Sequence, residues 1–277
     1  MLIAANIVCF IALLLLSGAA VARLVLFTAL GGELQRTVTA RAARAALMGA
    51  LLVVVGAGAR LLGTAWIMRD DEPFGPLLLQ LARDTASGRW TAGFGVMGLL
   101  LLLTPARWRA AGAVGGAVAL SVGLACSGHA TELEPSTLWI ALDAAHALGA
   151  LVWIGGLAMI LPFLPRSESG ALLARFAPVA LTGASVAVVT GVLRTLTVVP
   201  SVDALVTLMY GRVLLLKLLA VGLVGWFGWR NYRTHAGRRT LDVARSRGLE
   251  RRARVELALA SVVVGLTAWL STISPSD

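Results

Sequence analysis

Residues 137–162 read TLWIALDAAHALGALVWIGGLAMILP. Asp143 and His146 are the only titratable side chains in these 26 residues. An α-helix needs about 20 apolar residues to cross a bilayer, so the stretch predicts a spanning helix with a carboxylate and an imidazole inside the membrane. Trp139, Asp143, His146 and Trp153 are spaced 4, 3 and 7 apart and share one helical face. Trp139 suits an interfacial aromatic anchor, and His146 then lies roughly 10 Å below it, within one leaflet.

The whole chain is as apolar as this segment. Its 277 residues are 58% hydrophobic and 14% charged, with a mean hydropathy of +0.85. Ordinary soluble domains carry nearly twice that share of charge. The pattern predicts an all-α polytopic transmembrane bundle of about eight spanning helices, at roughly residues 3–28, 44–67, 90–104, 109–127, 137–162, 176–199, 205–229 and 254–273. We divide it into an N-terminal four-helix half, 1–127, and a C-terminal four-helix half, 128–277, forming one integrated bundle. The segment 74–83 reads as an interfacial helix. The first span lacks a basic leader and its apolar run is too long for a signal peptide, so it is expected to be retained. Cys9 and Cys126 lie in apolar segments and imply no disulfide framework.

The net charge of +10 is explained by topology rather than by nucleic acid. The loops after spans 1, 3 and 5 carry Arg36, Arg41, Arg44, Arg107, Arg109, Arg166 and Arg175, and nine arginines run from Arg230 to Arg254 after span 7. The alternate loops carry only Arg69, Arg83 and Arg89 among several acids. Both termini are therefore expected to be extracytoplasmic, with the span 4–5 connection on the same side. The loop 230–254 reads as a basic cytoplasmic anchor that holds a solvated His235.

Ionisable groups inside the membrane are expensive, and each is a functional candidate. Arg23 and Glu256 lie near the cytoplasmic boundary, where snorkelling or capping accounts for them. Arg60, Arg194 and Arg212 fall in the outward halves of their spans, where they either snorkel or line a polar cavity. Lys217 sits near the middle of span 7 and needs a partner, with Asp143 and Glu256 as the candidates. On the outward side, Cys9, Met97 and Met209 fall at a depth similar to His146, and with Cys126 and with His129 at the rim they form a set of sulfur and imidazole groups. Sulfur and imidazole are the donors that copper takes, Cu(I) above all for sulfur. Dense ligand spacing such as CxxC or HExxH is absent, and Met and Cys are also ordinary core fillers. Asp143, one turn from His146, is placed to orient the ring as an outer-shell carboxylate would. Gly183, Ala187 and Gly191 form a four-residue stripe, and Gly155 and Gly156 a pair, as close-packing positions in lipid.

Five pieces in order carry a family resemblance: SGHA (127–130), LDAAHALGALVWIGGL (142–157), RFAPVALTGASVAVVTGVL (175–193), YGRVLLLKLLAV (210–221) and RRARVELALA (251–260). Together they resemble the CopD family of bacterial copper-resistance membrane proteins, over roughly residues 127–273. Residues 1–110 resemble it mainly in hydropathy. The resemblance implies an eight-helix inner-membrane protein that handles a copper ion, often beside a periplasmic CopC-like carrier. It would place function at His129, Asp143, His146, Tyr210, Arg212, Lys217 and Glu256, with copper passing from the periplasm into or across the membrane. A Met-rich or His-rich capture tail is not present in this sequence. Nor is a nucleotide-binding loop, so transport would be gradient-driven or facilitative. Two histidines also make the minimum for bis-imidazole ligation, so a haem b electron-transfer protein is the alternative, and a non-transporting copper scaffold or sensor a third. No nucleophile–base set or carboxylate pair points to an enzyme.

Overall fold

The computed structural model describes residues 2–26, 32–69, 73–126, 135–165, 169–199, 201, 203–235 and 243–273. Ten α-helices are present among them, with no strand: α1 (Leu2–Val21, continued by a π-helical turn Ala22–Leu26), α2 (Gly32–Met68), α3 (Phe74–Asp84), α4 (Ala86–Leu103), α5 (Ala106–Cys126), α6 (Ser136–Ile160), α7 (Ser169–Val198), α8 (Ala204–Thr207), α9 (Met209–His235) and α10 (Val243–Leu270). All but α3 and α8 are long and apolar enough to cross a membrane, which gives the eight spans expected. In hydrocarbon every backbone N–H and C=O must be satisfied within its own segment, and a helix does this. The protein is thus a multi-pass helical membrane protein.

Three boundaries differ from the sequence reading. Helix α2 begins at Gly32, so Arg36, Arg41 and Arg44 lie in its first turns and not in a loop. Alanine-rich, arginine-bearing sequence has high helix propensity, and α2 continues past the end of its apolar run. The basic segment 230–254 is largely helical as well: α9 runs to His235 and α10 starts at Val243. Arg254 pairs with Glu250 one turn away on α10. Span 7 starts at Met209, with the short α8 set off before it by Leu208 in extended backbone. Helix α3 is amphipathic, and only Leu81 is buried along it. Thr85 ends α3 and caps α4, its hydroxyl accepting from Gly88 N at 2.9 Å.

Helix α1 is central to the bundle, packing against α2, α5, α6 and α10. Lipid tails are as apolar as leucine, so packing has to hold these helices together, and packing needs close approach. At the α1–α6 crossing a Cβ on Gly18 would lie 2.6 Å from the Gly155 carbonyl oxygen, and one on Gly155 would lie 2.5 Å from the Leu14 oxygen. Gly156 faces the Phe176 ring of α7. Below the crossing, Leu16, Leu26, Ile160, Leu164 and Leu172 are buried in one continuous cluster. Large exposed side chains such as Leu103, Leu196, Leu219 and Trp66 form the outer surface, as expected where the solvent is lipid.

Candidate functional site

The α6–α7 pair carries the site. A Cβ on Gly149 would lie 2.6 Å from the Gly183 oxygen, and one on Gly183 would lie 2.8 Å from the Gly149 oxygen, so the two backbones touch there. That contact sets how close the helices run for the next three turns. One turn on from Gly183, the Ala187 carbonyl oxygen lies 2.8 Å from His146 Nδ1. One further turn on, Gly191 leaves room for the ring: a Cβ there would come within 2.9 Å of His146 Cε1 and 3.2 Å of Nδ1. The Gly183–Ala187–Gly191 stripe is therefore more than a packing stripe. Its first member sets the approach, its second accepts a hydrogen bond, and its third seats the imidazole.

The hydrogen bond determines the tautomer. A carbonyl oxygen only accepts, so Nδ1 carries the hydrogen, and the neutral ring presents a lone pair at Nε2. Thr190 Oγ1 lies 3.3 Å from Nδ1 while donating to Val186 O at 2.6 Å. The position expected to orient the ring, Asp143, does something else. Its Oδ1 is 3.3 Å from Arg194 Nε, and the side chains of Arg194 and Asp143 are 20% and 24% exposed. A guanidinium is the stronger partner for a half-buried carboxylate. Arg194 Nη1 is buried with no hydrogen-bond partner.

Helix α9 contributes the third side. Tyr210 is half-buried, within electrostatic reach of both Arg194 and Asp143. Lys217, about two turns further along, is within electrostatic reach of His146. Neither carboxylate considered as its partner reaches it. Asp143 is taken by Arg194, and Glu256 is buried in α10 at 5% exposure beside Gly228, roughly 16 Å along α9 from Lys217. Arg212 is exposed and closes the α8–α9 break, its Nε donating to Val206 O at 2.7 Å.

The sulfur residues are dispersed. Met97 packs on the main core cluster, Met209 is 50% exposed at the start of α9, and Cys126 ends α5. Cys9 lies on α1 against Gly56 of α2. His129 lies outside the described residues. No group of three or more His, Cys, Asp and Glu side chains with metal-binding geometry occurs among the described residues. Sequence reasoning missed Thr190 and left Arg194 undecided. The available signal was that Ala187, Thr190, Gly191 and Arg194 share the α7 face that turns toward His146.

A bundle of eight spans with an anchored imidazole within electrostatic reach of a half-buried lysine defines a polytopic membrane protein with a polar intramembrane centre. Residues 170–270 match the family model described as Copper resistance protein D. The Copper transport protein CutJ of Bacillus subtilis (strain 168) is 30% identical over 165 residues. That match covers 55% of this chain and 28% of the relative, so the chain spans under a third of that protein's length. No solved structure matches.

Proposed function

We propose that this chain is a copper-handling membrane protein of the bacterial inner membrane, with both termini extracytoplasmic, that takes copper from the periplasmic side and passes it into or across the bilayer. The observation that carries this reading is the Nδ1–H bond from His146 to Ala187 O, 2.8 Å long. Metal-binding histidines have their second ring nitrogen held in this way, by a backbone carbonyl or a carboxylate, which leaves the other nitrogen free to coordinate. The ring is thus oriented before any ion arrives. The CopD match and the copper transport relative support copper as the cargo.

In this reading His146 Nε2 is one ligand, and Cys126 at the end of α5 and His129 on the connection leading into α6 are the entry ligands. Arg194 pairs with Asp143 one turn away, so a carboxyl group lies close to the cargo without being spent on Lys217. Lys217 places a positive charge on the inner side of His146. It keeps residence at this position short, which suits a transfer site better than a storage site. A CopC-like carrier would deliver to the span 4–5 connection.

The test is copper and haem analysis of purified wild type, His129→Ala and His146→Ala, followed by copper uptake into proteoliposomes. Copper retained by wild type and lost by both variants, with flux in liposomes, is the expected result. A Soret band abolished by His146→Ala would replace this reading with a haem protein. Binding without flux would make the chain a scaffold or sensor.

A further inference from the structure

A second polar constellation lies in the N-terminal half, away from the α6–α7 face. Helices α1, α2, α4 and α5, with the end of α10, close around a cavity of about 40 Å³ whose lining includes Asn6, Cys9, Arg60, Thr91, Phe94 and Ser271. Arg60 Nη1 donates to Asn6 Oδ1 at 3.4 Å and Nη2 to Ser87 Oγ at 3.3 Å. Asn6 Nδ2 donates in turn to Ser271 Oγ at 2.9 Å. Asn6 and Thr91 are both buried.

We propose that this cavity is a binding site for a small monovalent anion of the halide class, with Arg60 as its cation. Three observations carry the assignment. Arg60 sits within the apolar run of a membrane-spanning helix, where an uncompensated charge is costly, yet among the described residues no carboxylate pairs with it. Its two hydrogen bonds go to neutral oxygens and are longer than the usual 2.7–3.2 Å, so most of the five guanidinium donors stay available. The cavity beside it exceeds the about 10–15 Å³ that one water needs and admits a chloride-sized ion.

The remaining donors around the cavity suit an anion. Asn6 has a second amide N–H beyond the one given to Ser271, and the Cys9 thiol lies within electrostatic reach of Arg60. Thr91 and Ser271 give their hydroxyl hydrogens to Ser87 O and Ala268 O, so they line the space without competing for the guanidinium. Phe94 and its apolar neighbours exclude water, and this strengthens the pairing.

The experiment follows thermal unfolding of the purified full chain in detergent as chloride replaces gluconate at constant ionic strength. Wild type is expected to gain a saturable rise in Tm, on the order of a few degrees. Asn6→Asp places a carboxylate beside Arg60 and should be stable in gluconate and indifferent to chloride. Arg60→Met should also lose the chloride response. Bromide in place of chloride should give a density peak beside Arg60. Equal wild-type Tm in chloride and gluconate would overturn the proposal, as would an Asn6→Asp protein that still responds to chloride. Stabilisation by added phosphatidylglycerol with none by chloride would overturn it too, because a lipid headgroup would then be the anion.

Discussion

Arg194 on α7 and Asp143 on α6 form an ion pair with Nε 3.3 Å from Oδ1, one helical turn from the His146–Ala187 hydrogen bond. Two cross-links of different strength thus tie the same two helices at neighbouring levels. The pair satisfies charge within the membrane, and the hydrogen bond orients the ring. Each can be removed separately.

Breaking the ion pair by either Asp143→Asn or Arg194→Gln leaves one charge uncompensated. A fully buried pair broken in this way costs about 3–5 kcal/mol, and partial exposure should reduce the cost here to roughly 1–3 kcal/mol. The double variant should be less destabilised than the two single effects summed. A double-mutant cycle on thermal unfolding in detergent measures this, and strict additivity would mean that the pair contributes nothing.

Gly191→Ala should weaken copper retention while leaving the fold intact. The added Cβ would meet the imidazole and not a backbone, so the ring has to shift off its carbonyl, at about 1–3 kcal/mol of overpacking. Metal content measured beside circular dichroism separates the two effects. Unchanged copper content would show that ring position is immaterial.

Gly183→Ala and Gly155→Ala, unlike Gly191→Ala, should destabilise the fold. At each position the added carbon meets a carbonyl oxygen of the facing helix, which cannot move without separating α6 from α7 or from α1. Both should lower Tm through roughly 1–3 kcal/mol of lost packing. Copper binding per folded molecule should change little for Gly155→Ala, at the α1 contact, and should fall for Gly183→Ala, whose contact sets the His146–Ala187 spacing.

Lys217→Met should tighten copper binding. A positive charge facing the ring repels an arriving cation, and at an effective dielectric near 20 its removal is worth on the order of 1–2 kcal/mol, about tenfold in Kd. Competition against a chelator of known affinity reads this directly. Tighter binding together with slower liposome flux would fit a release role for the lysine, and weaker binding would contradict the charge argument.

Much of the fold was legible in the chain because a bilayer imposes a simple rule. Residues 137–162 had to be a helix, since any other backbone would leave polar groups unsatisfied in hydrocarbon. The same rule gave all eight spans and set α3 apart as a non-spanning helix. The edges at Gly32, His235 and Val243 were missed. Beyond the apolar run helix propensity takes over from hydropathy, and it carries no sharp stop.

Of the candidate site, the sequence supplied His146, Asp143, Lys217 and the glycine stripe as residues worth weighing, through helical spacing and the cost of charge in lipid. It could not supply their partners. Whether Asp143 serves His146, Lys217 or Arg194 depends on which face of α7 meets α6 and at what distance. Contact between the Gly149 and Gly183 backbones decides that. The Asn6–Arg60–Ser87–Ser271 constellation unites residues up to 265 positions apart. Periodicity within one helix says what lies on a face, but only the packing of helices says what that face meets.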